Sequence, residues 1–342
     1  MELLLRADAS ESIGTGHVMR CLALAQAWMH AGGTATFAMN QCPAALCERL
    51  RQEGVTVVSI AAERASLADA RETAQRARDA SARWIVLDGY DFDSEYQAAV
   101  RGNGLFLLVV DDEAHARNFV ADLLLNHNAY ATPELYAHKS GDARLALGGR
   151  YALLRDEFKS WRMWRREIPE RARRILITTG GSDPRNAALQ ILRGMDGLDG
   201  ASLETTVVIG SAAAHRSEVE REAAARGARV VIDARQMPEL MAWADIAISA
   251  AGSTCWEMAF MGLPAITLVI ADNQERIARC LSERGAALPL GRADASTSMR
   301  VAECLKQLIA NPLERTTLSH AGRRLIDGRG ASRVVELLSE AA

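Results

Sequence analysis

The sequence MELLLRADASESIGTGHVMRCLALAQAWMH, residues 1–30, decides the fold of the first part of the chain. The apolar run Leu3–Leu5 predicts a short buried strand, and Gly14 and Gly16 predict a turn into a helix that begins at His17. A strand, a glycine turn and a helix in this order are typical of parallel α/β sheets, where turn N–H groups and helix starts favour negatively charged ligands. Because histidine titrates near neutral pH, His17 is a candidate for moving a proton beside a bound phosphate or sugar.

Two other interpretations of this stretch stay open. A dinucleotide-binding loop would need a third glycine where Met19 stands, and the second predicted strand carries no acidic residue to bind a ribose. A histidine that only caps or packs at a helix start would look the same in the sequence. The choice between a functional and a structural His17 therefore depends on the rest of the chain.

Strand-like and helix-like patterns alternate along the whole chain, which predicts parallel strands joined by helices. The predicted strands are Leu3–Arg6, Thr34–Met39, Val55–Ile60, Trp84–Asp88, Leu105–Val110, Leu123–Asn126, Ile175–Thr179, Thr206–Ile209, Val230–Asp233, Ile246–Ser249 and Ala265–Ile270. The predicted helices are His17–His30, Pro43–Glu53, Leu67–Ala80, Ser94–Arg101, Asn186–Met195, Ala214–Ala225, Met237–Trp243, Thr254–Met261, Gln274–Arg284, Ser298–Ile309, Pro312–Ile326 and Ser332–Leu338.

Two runs of this alternation in a chain of 342 residues predict two domains. We expect an α/β fold of two Rossmann-like domains with a cleft between them. The first domain is expected at residues 1–160 and the second at 174–330, separated by a charged, tryptophan-rich linker at 161–173. A C-terminal helix at 331–342 is expected to pack back. Ligands of such open sheets bind at the carboxyl ends of the strands.

The composition excludes several classes of protein. Hydrophobic residues make up 49% and charged residues 24%, as in soluble globular proteins. The net charge of −3 argues against nucleic acid or an anionic membrane surface as a partner. The chain enters a strand directly after Met1 and has no apolar run long enough to cross a bilayer, so we expect a cytoplasmic protein.

The six cysteines are scattered without a CxxC pair. In a cytoplasmic chain of this size they predict reduced thiols. Cys42 and Cys47 lack the second pair that would complete a metal site.

Three loops of the second half follow apolar strands and lead into helices. They are residues 178–186 (TTGGSDPRN), 249–257 (SAAGSTCWE) and 271–275 (ADNQE). Backbone N–H groups at such glycine turns and helix starts can bind a diphosphate. Glu257, one turn inside its helix, could accept both hydroxyls of a ribose.

Structural interpretations of these loops also stay open. The first loop could be an ordinary turn in which Asp183 caps the helix and Pro184 takes the first helical position. The second could be a partial capping box of Thr254 and Glu257. The convergence of three polar loops at strand ends favours a binding site over three separate turns.

Two acidic clusters are further candidates. Asp91 and Asp93 have the spacing of a short motif that holds a metal–diphosphate in some sugar transferases, but aspartates are also favoured at a helix start. The run Asp111–Glu113, with His115 close by, ends another predicted strand. It could bind magnesium, although polar contacts to a sugar or support of the base are favoured.

Eight ordered blocks of the sequence carry a family resemblance. They are RADASESIGTGHVMRCLALA (6–25), VLDGY (86–90), VVDDE (109–113), LLNHNAYA (124–131), GGRYALLRDEF (148–158), TTGGSDPRN (178–186), SAAGSTCWE (249–257) and ADNQE (271–275). Together they resemble the PseG family, the UDP-2,4-diacetamido-2,4,6-trideoxy-β-L-altropyranose hydrolases of pseudaminic acid biosynthesis. That family is related to the peptidoglycan N-acetylglucosaminyltransferase and shares its two-domain glycosyltransferase-B fold.

The resemblance implies a metal-independent hydrolase, without a cofactor, that acts on a UDP-linked nucleotide sugar. Separately, we expect the protein to be a monomer. Water displaces UDP at the anomeric carbon with inversion, and His17 matches the general base. The sugar-side residues it implies are Arg6, Asp8, Ser12, Gly14, Gly16, Tyr90, Asp111, Asp112 and Asn126. The UDP-side residues are Gly180, Gly181, Ser182, Gly252, Ser253, Thr254, Glu257, Asn273 and Gln274. Gly89 departs from the family, because some relatives carry histidine there.

Other functions compatible with the same sequence stay open. A glycosyltransferase of this fold would pass the sugar to an acceptor other than water. A related hydrolase could act on another deoxy-acetamido sugar or on a CMP-linked one. A non-catalytic nucleotide-sugar sensor would bind the ligand without turnover.

Overall fold

The computed structural model describes residues 1–10, 12–102, 104–181, 183–198, 203–210 and 213–340. The chain divides into two compact units, the first comprising residues 1–156 with 328–342 and the second residues 157–327. Each unit holds one parallel β-sheet with helices between successive strands. The expected α/β class of two Rossmann-like domains is confirmed.

The sheet of the first unit has seven parallel strands. They are β1 (Glu2–Ala7), β2 (Thr34–Met39), β3 (Thr56–Ser59), β4 (Ala82–Asp88), β5 (Phe106–Val110), β6 (Leu123–Asn126) and β7 (Arg144–Leu147), in the spatial order β3-β2-β1-β4-β5-β6-β7. The helices that follow its first strands are α1 (Gly16–His30), α2 (Ala44–Gln52), α3 (Leu67–Asp79) and α4 (Ser94–Arg101).

The sheet of the second unit has six parallel strands. They are β8 (Arg174–Thr178), β9 (Glu204–Ile209), β10 (Arg229–Ile232), β11 (Ile246–Ala250), β12 (Ala265–Val269) and β13 (Leu288–Arg292), in the spatial order β10-β9-β8-β11-β12-β13. Its helices are α5 (Ala187–Gly194), α6 (Arg216–Ala225), α7 (Met237–Trp243), α8 (Thr254–Met261), α9 (Glu275–Glu283), α10 (Thr297–Ala310) and α11 (Pro312–Leu325).

A last helix, α12 (Gly330–Glu340), belongs to the first unit. Val334 and Leu338 are fully buried in the apolar cluster that also contains α1 residues. The indole of Trp84 donates a hydrogen bond of 3.0 Å to the carbonyl oxygen of Leu338. This contact fixes the C-terminal helix to β4.

Strand β1 shows why the central strands are continuous apolar runs in the sequence. Leu3 and Leu5 lie in the cluster on the α1 side of the sheet, and Leu4 lies in a second cluster with Ala70 and Ala74 of α3. Side chains alternate between the two faces of a strand, and helices cover both faces here. The central positions Leu3–Leu5 of this strand are therefore all apolar, because both of its faces are buried.

The order of the strands reverses at one point in each sheet, between β1 and β4 and between β8 and β11. Loops that leave the carboxyl ends of two such strands go to opposite faces and leave a crevice at that edge. The fold therefore provides one candidate binding edge in each unit.

The strand and helix bounds agree with the sequence patterns to within about two residues, but the edge strands β7 and β13 are not predicted by them. β13 contains Pro289 and Gly291, residues that normally interrupt a strand and that sheets tolerate at an edge. β7 has only four residues and begins with the exposed Arg144. Neither strand carries the apolar run that marks a central strand.

The arginine-rich segment at 161–173 is counted with the second unit. The Arg166 guanidinium donates to the carbonyl oxygens of Met241 and Ala244 at the end of α7. Burial lowers the pKa of Arg166 to about 10. A partly buried cation at a helix C-terminus satisfies carbonyl groups that have no partner within the helix.

Cys42 and Cys47 form a disulfide, which differs from the expectation of reduced thiols. They flank the start of α2 with Cα atoms 6.0 Å apart, within the range for a disulfide. The other cysteines, Cys21, Cys255, Cys280 and Cys304, are free. Across the described ranges, no helix is both long and apolar enough to cross a membrane.

Candidate functional site

A tight turn at Ser10–Gly14 precedes the start of α1. The amide of Gly14 donates to the carbonyl oxygen of Ser10 at 2.8 Å, and Gly14 adopts a φ of +75°, which favours glycine. Ser12 is exposed, with its hydroxyl 3.0 Å from that of Ser10. In the described structure the Thr15 side chain makes no capping hydrogen bond at the start of α1. The first-turn N–H groups beside Gly16 are therefore open to another acceptor.

His17, the second residue of α1, forms a pair with Asp88 at the carboxyl end of β4. The imidazole Nδ1 lies 2.6 Å from Asp88 Oδ1. The carboxylate is fully buried, whereas the imidazole is 12% exposed. An ionised carboxylate only accepts hydrogen bonds, so the neutral imidazole holds its proton on Nδ1 and presents a lone pair at Nε2. Nε2 has no hydrogen-bond partner among the described residues.

Arg20, one helical turn after His17, keeps Asp88 ionised. Its Nε and Nη2 donate to the two Asp88 oxygens at 2.6 and 2.7 Å. Burial alone would raise the pKa of Asp88, but the charges and hydrogen bonds of Arg20 and His17 lower it to about 2. The carboxylate is therefore charged at neutral pH and fixes the tautomer of His17.

The same guanidinium also binds Asp112, which follows β5. Arg20 Nη1 donates to both Asp112 oxygens at 2.7 and 2.8 Å, and the Tyr90 hydroxyl donates to Oδ2 at 2.8 Å. Burial opposes the charge on Asp112, but Arg20 keeps the pKa of this carboxyl below its usual range. The Tyr90 ring packs edge-on against His17, with ring centroids 5.0 Å apart. Tyr90 and Asp112 thus lie in one network with the His17–Asp88 pair.

The end of β6 completes this network with amides and a neutral imidazole. Asn128 donates to Asp112 Oδ1 at 2.6 Å and to Asn126 Oδ1 at 2.8 Å. Burial and the charge of Arg20 lower the pKa of His127 to about 4, so this buried ring is neutral at pH 7. Asn126 is fully buried, and its amide donates to the Asp112 carbonyl oxygen at 2.9 Å.

A second imidazole–carboxylate pair lies at the end of β5. His115 Nδ1 is 2.5 Å from Asp111 Oδ1. The other oxygen of Asp111 accepts from the Tyr136 hydroxyl at 2.6 Å and from the Ala114 amide at 2.7 Å. Asp111 is therefore buried with both oxygens engaged, while its His115 partner is partly exposed.

Arg6 and Asp8 form a separate buried network. Arg6 donates to Asp8 at 2.7 Å and to both oxygens of Asp69 at 3.0 and 2.7 Å. Asp8 Oδ1 accepts from the amides of Asn40 and Gln41 at 2.7 and 3.0 Å. Both side chains are fully buried, so these bonds tie the loop after β1 to α3 and to the loop after β2.

In the second unit, the first predicted diphosphate loop follows β8. Gly180 has a φ of +87°, and Gly181 lies so close to Gly210 that a Cβ on Gly210 would overlap the Gly181 carbonyl oxygen. Ser182 lies outside the described residues. The Asp183 carboxylate accepts from the first two amides of α5 at 2.8 and 2.9 Å.

This arrangement corrects the expectation for Pro184 while keeping the cap. Helix α5 begins at Ala187, so Pro184 lies in the preceding turn and not at the first helical position. Asp183 caps the helix from four residues before its start.

The loops after β11 and β12 lie at the same sheet edge, because β8, β11 and β12 are adjacent and parallel. Ser253 precedes α8 without a side-chain capping bond in the described structure, and Thr254 is the first helical residue. Gly252 and Glu257 flank this helix start, one before it and one inside its first turn.

Gln274 and Asn273 lie in the short turn that follows β12. Gln274 Oε1 accepts a hydrogen bond of 2.9 Å from the Ile270 amide, which holds the end of the loop against the strand. Asn273 is exposed. Every described residue of the predicted UDP set therefore lies in a loop or in a first helical turn at the carboxyl edge of this sheet.

The two residues of the short acidic motif have different roles. Asp93 caps α4 by accepting from the Tyr96 amide at 2.9 Å. Asp91 forms an ion pair with Arg64. Within the described ranges, no group of three or more His, Cys, Asp or Glu residues is arranged to hold a metal ion.

Sequence reasoning missed the residues that connect this network. Asp88 is the last residue of a predicted strand, two positions before Tyr90. Arg20 follows His17 by three positions and so lies on the same face of the predicted helix. A carboxylate at the end of a central strand and a cation one helical turn from the candidate histidine were the available signals. Nothing in the sequence links His127 and Asn128 to Arg20, because only the strand order brings them together.

Comparisons with known proteins agree with this architecture. Residues 175–329 match the glycosyltransferase family 28 C-terminal domain. The chain is 27% identical over 236 residues to the spore coat polysaccharide biosynthesis protein SpsG of Bacillus subtilis, covering 68% of this chain and 69% of that protein. It is 25% identical over 288 residues to the UDP-2,4-diacetamido-2,4,6-trideoxy-β-L-altropyranose hydrolase of Campylobacter jejuni, covering 83% of this chain and 97% of that protein.

The solved structure of MurG from Acinetobacter baumannii has the same fold. It matches with a TM-score of 0.67 at 15% identity over 99% of both chains. The resemblance to the hydrolase family and the glycosyltransferase-B fold are confirmed. The chain is thus related to enzymes that process sugar nucleotides.

Proposed function

Since the chain is a relative of the PseG hydrolases with a glycosyltransferase-B fold, we propose that it is a nucleotide-sugar hydrolase. The proposed reaction releases UDP from UDP-2,4-diacetamido-2,4,6-trideoxy-β-L-altropyranose, a step in pseudaminic acid biosynthesis. The proposed partner is this small molecule, bound by a monomer. Support comes from the relative in Campylobacter jejuni, which carries this activity in its name.

The proposed base is His17. Its Nε2 removes a proton from water while the water oxygen attacks the anomeric carbon. The bond from that carbon to the phosphate oxygen breaks, its electron pair leaves with UDP, and the configuration inverts. Asp88 balances the positive charge that develops on the imidazole, as the carboxylate does in other base–carboxylate pairs.

The proposed UDP site consists of the loops after β8, β11 and β12. Helix starts and glycine amides stabilise the charge that grows on a leaving diphosphate, so the step has no obligatory metal. Ser253 supports this assignment, because it stands at the start of α8 without a side-chain capping bond in the described residues. Glu257 is proposed to accept the ribose hydroxyls.

On the sugar side, the geometry supports Tyr90 and the loop of Ser12, Gly14 and Gly16 as contacts. Tyr90 packs on the ring of the proposed base. Five further sugar-side residues are buried and hydrogen-bonded within the unit, and we propose that they position the residues that contact the sugar. They are Arg6, Asp8, Asp111, Asp112 and Asn126.

The observation that carries the proposal is the 2.6 Å contact between His17 Nδ1 and Asp88, with Nε2 free of partners among the described residues. Its test is product NMR with the purified protein and the UDP-sugar. We expect stoichiometric release of the free sugar as the inverted anomer without any acceptor. Sugar release only on addition of an acceptor would assign a transferase, and no turnover with diverse nucleotide sugars would indicate a sensor.

The role of the base has a separate test. We expect His17→Asn to lower the rate of UDP release by roughly 10²- to 10⁴-fold, the usual contribution of a general base, while UDP still binds. The matched control is His30→Asn at the other end of the same helix, where the imidazole lies 2.7 Å from the Gln26 carbonyl oxygen. Near-wild-type turnover by His17→Asn would remove this residue from the mechanism.

A further inference from the structure

The His115–Asp111 pair repeats the arrangement of the His17–Asp88 pair but has no part in the proposed activation of water. In both pairs Nδ1 contacts a fully buried carboxylate, at 2.6 Å for His17 and 2.5 Å for His115. Asp111 is held by two further donors, the Tyr136 hydroxyl and the Ala114 amide. The ring of His115 is therefore fixed by a carboxylate that cannot easily move.

Tyr90 lies between the two imidazoles. Its ring meets His17 at 5.0 Å and 81°, and His115 at 5.8 Å and 79°, both edge-on. Phe119 packs against the His115 ring at 5.9 Å. The Tyr90 hydroxyl donates to Asp112, which fixes the ring that contacts both imidazoles.

In its neutral form, the His115 imidazole has a hydrogen-bond acceptor at its second ring nitrogen, Nε2. Because the Asp111 carboxylate accepts a hydrogen bond from Nδ1, the neutral imidazole holds its proton on Nδ1 and has a lone pair at Nε2. No residue in the described part of the chain hydrogen-bonds Nε2, and the side chain is 24% exposed. An acceptor held at a fixed position beside the proposed base suits a ligand that presents an O–H or N–H group.

We infer that His115 is a sugar-binding residue whose Nε2 accepts a hydrogen bond from an O–H or acetamido N–H group of the substrate. The inference rests on the proposed function, since that function supplies the sugar. It adds a contact on the far side of Tyr90 from His17. The sugar is then held by His115 while His17 directs water at its anomeric carbon.

The test measures affinity in the His17→Asn background, where the substrate is expected to be consumed only slowly. Two further variants separate structure from binding. In the His115→Asn variant, the side-chain amide nitrogen takes the place of Nδ1 and keeps the hydrogen bond to Asp111, but no atom takes the place of Nε2. The longer amide of His115→Gln can place an oxygen near the Nε2 position.

We expect His115→Asn to weaken the affinity for the UDP-sugar by roughly 3- to 10-fold, as for loss of one hydrogen bond. The affinity for UDP alone should not change, and His115→Gln should recover part of the loss. Calorimetric titration with the UDP-sugar and with UDP gives both values, and thermal melts confirm folding.

Unchanged affinity for the UDP-sugar in His115→Asn would overturn the inference, and so would an equal loss for UDP alone. A parent variant that fails to bind the UDP-sugar would overturn the inference and the proposed function together. If the parent binds but the wild type releases no UDP, only the proposed function fails. The affinity comparison then still decides whether His115 contacts the sugar.

Discussion

The substitution Asp88→Asn tests the central pair of the proposed site. Four donors converge on the Asp88 oxygens: His17 Nδ1, Arg20 Nε and Nη2, and the Cys21 thiol at 3.4 Å. Asparagine keeps the shape but replaces one acceptor oxygen with an amide that donates. In either orientation, the amide N–H group therefore faces a donor of Arg20 or hydrogen-bonds the Nδ1 atom of His17.

The two orientations have different consequences. If the amide nitrogen takes the place of Oδ1, it opposes the Arg20 Nη2 donor and donates to His17 Nδ1. The imidazole proton then moves to Nε2, and the base loses its lone pair. If the nitrogen faces Arg20 Nε, two donors meet in a buried site. Either outcome removes the charge that balances a protonated His17. We expect UDP release to fall by roughly 10²- to 10⁴-fold, the range for losing a base or its correct tautomer.

The stability cost follows from the pKa of Asp88. A carboxyl whose pKa falls from 3.8 to about 2 on folding stabilises the native state by roughly 2–3 kcal/mol at about 1.4 kcal/mol per tenfold change. This contribution is present above the unfolded pKa and is lost as pH falls through about 2. At neutral pH, Asp88→Asn should therefore lower the free energy of unfolding by about that amount. The urea midpoint of unfolding should fall accordingly.

The assay combines kcat for UDP release with urea unfolding and with the double variant His17→Asn, Asp88→Asn. If Asp88 acts through His17, the double variant should be no slower than His17→Asn alone, because coupled residues are not additive. A folded Asp88→Asn protein with a kcat near that of the wild type would refute the reasoning. So would losses that multiply in the double variant.

Three further outcomes are expected. Between about pH 6.5 and pH 4, His127 is protonated in the unfolded chain but not in the folded chain, because its folded pKa is about 4. The free energy of unfolding should therefore fall by up to roughly 3 kcal/mol on acidification through that range. If a His127→Asn variant showed the same pH dependence in urea unfolding, this expectation would be contradicted. Gly210→Ala should weaken UDP binding by roughly 10-fold or more in calorimetry, because its Cβ would overlap the Gly181 carbonyl oxygen; Gly102→Ala, whose nearest contact is 3.9 Å away, is the control. EDTA should leave UDP release unchanged, whereas a loss restored by magnesium would support a metal at residues 91–93.

Much of the site could be identified from the sequence because its positions follow local patterns. His17 follows a strand and a glycine turn, and Tyr90 and Asp112 follow predicted strand ends. Each of these signals lies within about ten residues of the chain. Their common neighbourhood then follows from the rule that parallel strands end at one edge.

Two aspartates have structural roles that a short motif alone does not reveal. Asp93 matches a metal motif but caps α4, and Asp183 caps α5 from four residues before the helix begins. A cap and a ligand use the same carboxylate oxygen, so only the observed partner separates them.

The sequence by itself determined the alternation of strands and helices, the glycine turns at strand ends and the kinship with nucleotide-sugar hydrolases. The tertiary structure alone decided that Arg20 joins Asp88 to Asp112 and that Tyr90 lies between two imidazoles. The reason is range. Hydrophobic periodicity and turn chemistry act between near neighbours, whereas strand order brings together residues separated by 68 and 92 positions.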